Sequence, residues 1–406
     1  MKELLEAAGG NAERMVTLRR QIHQTPELGL QTPATRELVV AELEKIGVDA
    51  MQSGDDCTWL TADLIGTGTG PGARSDAGKA KVVALRADTD ALPLTEKTGL
   101  DYASRIEGRM HACGHDAHTA MLVGAASVLA GMRDRFAGTV RLMFQPGEEG
   151  LGGARVMIED GAFDDVESTF AIHLQPSARS HRVLFRAGTM LAAFDDFTVT
   201  FEGAGGHAST PHAALDPIPA IGPFVDGLSH VAARETDPDD RTVFSVSHVV
   251  AGTKENVIPG EARCSGTIRS LSPRGRERAL ERLHRVAHGV AASRGLQAHV
   301  DVRPGYPPTI NDAHAVGEVL VAASAIGLEA REMRGPFMGA EDFAYFLERV
   351  PGAMVFLGCR TDGAGPLHSD RMMIDESVMP TGAALHAAVA LQMLGAAADG
   401  PSSSRV

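Results

Sequence analysis

Four short apolar runs each break off into charged or glycine-rich residues: KVVALRAD (81–88), TVRLMFQPGEE (139–149), STFAIHLQP (168–176) and AMVFLGC (353–359). Runs of this length, rich in β-branched residues, read as strands buried on both faces. Apolar residues recur at helical spacing over 2–24 and over 33–46, where Leu38, Val39, Leu43 and Ile46 share a face, and again over His115–Leu129 and Ala154–Glu159. Strands alternating with helices predict an α/β fold, a mostly parallel sheet with helices on both faces. Ligands of such sheets bind beyond the carboxyl ends of the strands. Asp88, Asp90, Glu148, Glu149 and His173 all fall at that end, and His368 follows a further strand.

The middle of the chain has another texture. FDDFTVTFEG (194–203) alternates apolar and polar positions, followed by a helix around 216–234, strands at 242–252 and 263–270, a long amphipathic helix near 273–294 and a strand at 297–304. This β-α-β-β-α-β order predicts a small α+β sandwich with an antiparallel sheet. The expected organisation is therefore a catalytic domain in two parts, 1–187 and 305–406, interrupted by an inserted domain at 188–304. Residues 66–80 are rich in Gly, Ser and Pro and read as a solvated loop, and the polar tail from about Ala396 reads as disordered.

Composition narrows the function. Hydrophobic residues make up 44% and charged residues 22% of the 406, the balance of a folded soluble protein. A formal charge of −14 speaks against a nucleic-acid surface. No apolar stretch is long enough for a membrane helix, and MKELLEAAGG does not read as a signal peptide. The four cysteines (57, 113, 264, 359) are too far apart for a disulfide framework, so a reducing, cytoplasmic setting is expected.

The chemistry concentrates in HACGHDAH (111–118). Cys113 and His115 flank a glycine that permits a tight turn, so both side chains could face one ion. His118 lies one turn inside the predicted helix, where packing or a hydrogen bond is the alternative to ligation, and His111 is equally open. Of the adjacent carboxylates Glu148 and Glu149, one can hold a metal while the other faces substrate as a general base. His173 and His368 are weak candidates singly and gain from their places beside buried strands. Asp90 suits a supporting role behind a ligand, and Asp88 is either similar or a strand-end cap. A cysteine, three histidines and a carboxylate exceed one tetrahedral ion and suit two divalent ions sharing a water. A thiolate favours a softer ion such as zinc.

Taken in order, RQIHQTPELG (20–29), LRADTDALP (85–93), HACGHDAHTAML (111–122), FQPGEEG (144–150), GGHASTPH (205–212), NVIPGEARCSGTIRS (256–270), MGAEDFAYF (338–346) and LHSD (367–370) resemble the amidohydrolase branch of the aminoacylase/carboxypeptidase metallopeptidase family. The resemblance spans nearly the whole chain. It implies hydrolysis of N-acyl-amino acids, with Cys113, His115, Glu149, His173 and His368 as ligands of two metals and Glu148 as the catalytic acid/base, supported by Asp90. It also implies that the inserted domain is a lid and dimerisation domain presenting His207, Asn256 and Arg269 to the substrate. Manganese, nickel or cobalt are the alternatives to zinc. A dipeptidase or carboxypeptidase on the same fold is the rival activity, and a non-catalytic metal-binding protein the rival class. Glu341–Asp342 read as the cap of a helix. The chain departs from the usual pattern at Gln31–Thr32, in SARSHRV after His173 and at Ser369–Asp370.

Overall fold

Eight strands form the sheet of the first unit, in the order Ala50–Ser53, Leu60–Thr67, Ala137–Gln145, Val82–Asp88, Ser168–Gln175, Gly352–Gly358, Val183–Phe185 and Ala330–Glu332. The four central strands are mutually parallel, while Leu60–Thr67 pairs antiparallel with Ala137–Gln145 and Val183–Phe185 antiparallel with Gly352–Gly358. Every residue of Val82–Asp88, Ser168–Gln175 and Gly352–Gly358 is buried, as near-continuous apolar runs require. The computed structural model describes residues 2–69, 72 and 80–396. The loop expected at 66–80 lies mostly outside those residues, and the tail beyond Ala396 wholly so. Among the described residues no helix is long and apolar enough to cross a membrane.

The first unit comprises Met1–Met190, Ile310–Gly335 and Tyr345–Val406. Its central helices, His115–Ala130 and Met379–Met393, are buried nearly all round and pack against each other and the sheet. The single helix expected over 2–24 is in fact two, Glu3–Gly10 and Ala12–Gln24. The break falls at Gly9–Gly10–Asn11, where two glycines lower helix propensity and the Asn11 amide returns to the Ala7 carbonyl at 3.0 Å. Helix Pro33–Ile46 starts where Glu27 accepts the amides of Ala34 (3.1 Å) and Thr35 (2.9 Å), and it stops at Gly47 with φ 78°. The glutamate of the PEL segment thus caps a helix.

The second unit comprises Leu191–Thr309 and Pro336–Ala344. Its four-stranded sheet is antiparallel throughout, in the order Thr242–Ala251, Glu261–Ser270, Ala193–Glu202 and Gln297–Pro304. Phe197, Val199 and Phe201 point to one face and meet Phe224 and Leu228 of helix Ile221–His230 and Leu283 and Ala287 of helix Pro273–Ala292. The expected helix at 216–234 resolves into a 3-10 turn, that α-helix and a π-turn at Val231–Glu235. Pro336–Ala344 joins this unit because the Ala192 amide bonds the carbonyls of Phe337 (3.1 Å) and Gly339 (2.9 Å).

A buried charge network ties helix Ala12–Gln24 into the first unit. Arg19, 1% exposed, donates to Asp116 (2.9 Å), to the Tyr102 hydroxyl (3.1 Å) and to Glu376 (2.8 Å). His23 sits between Asp116 (2.8 Å) and Glu96 (3.3 Å). Burial opposes charge on that ring, but Asp116 outweighs it and raises the pKa to about 8. The folded value exceeds the unfolded imidazole's, about 6.5. The charged ring therefore stabilises the fold fully below that unfolded value and loses its contribution as pH rises through about 8. The stability gap between wild type and His23→Gln is expected to be widest near pH ~6 and to narrow above about pH 8. Thermal unfolding across that range checks it, and a gap independent of pH would refute the charged ring.

Candidate metal centre

Cys113 and His115 stand on either side of Gly114, whose φ of 95° turns the chain sharply at the start of helix His115–Ala130. The ring of His115 donates Nδ1–H to the Asp90 carbonyl at 2.8 Å, which leaves Nε2 bare. His173 lies within strand Ser168–Gln175 rather than behind it. Its Nδ1–H goes to the Leu174 carbonyl at 2.7 Å, and its Nε2 is 3.3 Å from the Cys113 sulfur. A carbonyl only accepts, so both rings are held in the tautomer that offers Nε2 as a ligand. His368 has φ 63°, a left-handed conformation costly for any residue with a Cβ, and its amide is pinned to the Ala112 carbonyl at 2.8 Å. That strained anchor sets its Nε2 3.3 Å from Glu149 Oε1.

Among the described residues two of the possible donor groups contain Cys113, each with ligand atoms within 4.8 Å of one another: Cys113–His115–His173 and Cys113–Glu149–His368. Cys113 belongs to both. Separations of this size are the edges of a coordination polyhedron around ions bound at about 2.0–2.3 Å. His115 Nε2 is buried without a hydrogen-bond partner, and Glu149 Oε1 is buried with only the His368 ring, 3.3 Å away, beside it. Native interiors rarely leave such atoms unmatched. The donor set therefore fits a divalent-metal centre.

The glutamate pair is set by Asp90. Its carboxylate accepts the amides of Glu148 (3.0 Å) and Glu149 (3.1 Å), so the expected task of steering His115 falls to its main-chain carbonyl instead. Gly147 turns with φ 76°, and a Cβ there would sit 2.5 Å from Leu30. The turn is closed from behind by Gly153, where a Cβ would lie 1.6 Å from the Pro146 carbonyl. Glu148 is 7% exposed, and its Oε2 is 3.9 Å from His115 Nε2.

Asp88 is a buried hub rather than a strand-end cap. It accepts from His118 Nδ1 (2.6 Å) and Arg86 (2.7 Å) and lies 3.5 Å from His115 Nε2. His118 spends its other nitrogen accepting the Leu174 amide at 2.9 Å, so it has none left for an ion. His111 is buried with both ring nitrogens unpartnered, and burial pushes its pKa down to about 3. It belongs to neither donor group. Arg86, which also bonds Gln145 at 2.9 Å, was not singled out from sequence. A charged residue inside an otherwise apolar strand was the available sign. Arg19, His23 and Asp116 carried no such sign, because their meeting spans the chain.

Burial, with Glu149 nearby, pushes the Cys113 thiol up, and burial next to His118 pushes His173 down to about 3. For His115, burial works against the charged ring but Asp88 and Cys113 outweigh it and raise the pKa well above the usual imidazole value. Hydrogen bonds to Cys113 and then Glu149 raise His368 to about 10. In the metal-free protein these two protons occupy the places where positive charge is needed, and ligation must expel them. Metal uptake at neutral pH is expected to release at least about two protons per chain. Calorimetry in buffers of different ionisation enthalpy measures this, and His368→Gln should reduce the release by about one proton.

His207, Asn256 and Arg269 lie in the second unit. His207 pairs with Val257 in a two-stranded ribbon, and the Asn256 carbonyl accepts the Ala208 amide at 3.1 Å, so the first two are neighbours. Ser209 donates its amide (3.1 Å) to His207 Nδ1, which leaves the exposed Nε2 to carry the proton. Arg269 is on strand Glu261–Ser270 with its guanidinium 4.3 Å from the Phe194 ring, and its Nη1 is buried without a partner. Burial holds its pKa below the usual value. Glu341 accepts the Phe343 amide at 3.1 Å, in keeping with a capping role.

Known proteins resemble the chain in sequence and fold. Over 386 residues the chain is 38% identical to thermostable carboxypeptidase 1 of Saccharolobus solfataricus, covering 93% of this chain and 95% of that one. It is 40% identical to the IAA-amino acid hydrolase ILR1-like 2 of Arabidopsis thaliana (94% and 85% covered) and 35% identical to an N-acetylcysteine deacetylase of Bacillus subtilis (94% and 97%). A solved structure of a Bacillus subtilis dinuclear metal binding peptidase from the M20 family superposes with a TM-score of 0.83 at 32% identity, covering 96% of this chain and all of that one. Residues 84–392, more than half of the chain, match Peptidase family M20/M25/M40, and the chain belongs to that family.

Proposed function

We propose that the chain hydrolyses the amide bond of N-acyl-amino acids, releasing a carboxylic acid and a free amino acid, at a centre of two divalent ions. The observation that carries this reading is Cys113 shared between two donor groups, with Glu148 beside them and outside the Cys113 sets. Zinc is the first choice for the ions because a thiolate and imidazoles favour a borderline metal, with manganese, nickel or cobalt as alternatives. Bound ions would polarise the acyl carbonyl and acidify a water.

Glu148 accepts the proton of the attacking water as the C–O bond forms and returns it to the amine nitrogen as the C–N bond breaks. Its place, 3.9 Å from His115 Nε2 on an amide-anchored turn, supports that role. Asp90 acts as a positioning residue through the two amides it accepts. His207 suits an oxyanion donor because its exposed Nε2 carries the proton, and Arg269 suits the substrate carboxylate because its Nη1 lacks a partner. Asn256, beside His207, would share that recognition. We assign the second unit a lid and dimerisation role, and a homodimer in the cytoplasm as the working state. No nucleic acid or membrane enters the scheme.

The 38% identity to a carboxypeptidase favours peptide hydrolysis as the second reading. A panel of acetyl-, benzoyl- and aminoacyl-amino acids separates the two, and preference for a free α-amine would select the peptidase. Glu148→Gln is expected to lower kcat by about 10²–10⁴-fold with metal content unchanged. Turnover near the wild-type rate with metal bound would remove Glu148 as the acid/base.

A further inference from the structure

Helix Pro273–Ala292 carries chemistry that the hydrolytic reading does not use. Ser272 caps it by accepting the Gly275 amide at 2.8 Å, and Ala279, Leu283, Ala287 and Ala291 bury one face. The opposite face is exposed and aligns Glu277, Glu281, His284 and His288 at helical spacing. His284 and His288 are one turn apart, with ring centroids 6.1 Å from each other and ring planes 22° apart. Among the described residues the only recorded contact of either ring is this mutual stacking. Arg282 and Arg285 on the same helix are both engaged by Glu235, at 3.6 Å for Arg282.

Residues four apart on a helix have Cβ atoms roughly 5–6 Å apart. Two imidazoles so placed reach one ion with bonds of about 2.0–2.1 Å by side-chain rotation alone. The helix is long, capped and packed, so the backbone is ordered before any ion arrives. We propose that His284 and His288 form a second metal site on the second unit. Its ligand class is a borderline divalent transition ion, copper(II), nickel(II) or zinc(II), for which imidazole is a preferred donor. Hard ions such as magnesium and calcium prefer all-oxygen sets and are excluded. The site shares no residue with the Cys113 centre, so it stands whether or not the hydrolytic reading is right. One consequence is that metal stoichiometry in excess nickel or zinc exceeds what the Cys113 centre alone accounts for.

The test uses full-length, tag-free protein already loaded at the Cys113 centre and titrated with nickel(II) by calorimetry. Wild type should take up one further ion per chain, and the doubly substituted His284→Gln/His288→Gln protein should not. Each single substitution should weaken that extra binding by about 10²-fold, because a chelating pair becomes a lone donor. Magnesium should give no extra uptake in any variant. Hydrolytic activity and unfolding temperature should be unchanged in the double variant, since both rings are exposed. Equal nickel uptake and affinity in wild type and the double variant would overturn the proposal. So would extra uptake in wild type that magnesium matches.

Discussion

An ionised group at the end of a buried strand persists only where opposite charge or hydrogen-bond donors surround it. That constraint governs the first unit. Asp88 is enclosed by Arg86 and His118, Asp116 by Arg19 and His23, and Asp90 by two backbone amides. Arg86 shares a strand with Asp88, but every set also takes in a member from an element far away in sequence, so satisfying the charges also fixes how helices, strands and turns meet. Breaking such a set by removing one partner costs about 3–5 kcal/mol, a sizeable part of a domain's net stability.

The reactive groups are what this compensation leaves over. His118 has both nitrogens occupied, whereas His115 and His173 each have one engaged by a carbonyl, and the other is bare in His115 and faces the Cys113 sulfur in His173. The thiol of Cys113 stands between them and the Glu149–His368 pair. Proton affinity is raised at His115 by Asp88 and Cys113, and at His368 by Cys113 and Glu149. An ion taken up by these nitrogens would displace the protons they hold. Metal binding and protonation are thereby linked through the same few atoms.

The family motifs acquire physical content in this setting. In RQIHQTPELG, His23 closes the charge network and Glu27 caps helix Pro33–Ile46, so neither touches the donor groups. In QPGEEG the glycine provides the turn, and the two glutamates stand among the candidate donors beside His115. At the Gln31–Thr32 departure, the Thr32 hydroxyl meets those of Thr58 (3.2 Å) and Thr89 (3.1 Å) in a neutral cluster.

The strands were legible in the sequence because burial on both faces demands continuous apolar runs, and their ends were legible because polar residues cannot continue inside. The predicted runs at 81–88, 168–176 and 353–359 match the strands to within a residue at each end. The candidate ligands were legible as residue types crowded at those ends. Short strands such as Val183–Phe185 and Ala330–Glu332 were not, since three residues carry no period. The sequence also could not say which histidine nitrogen is free, because that depends on a carbonyl or amide from another element. It offered Asp90 as a support behind a ligand, while only the folded chain directs its carboxylate to the Glu148–Glu149 turn and its carbonyl to His115. Local pattern determines which elements form and what chemistry each carries. Tertiary structure alone decides which donors remain unmatched, because a hydrogen bond is assigned by proximity in space and not by spacing along the chain.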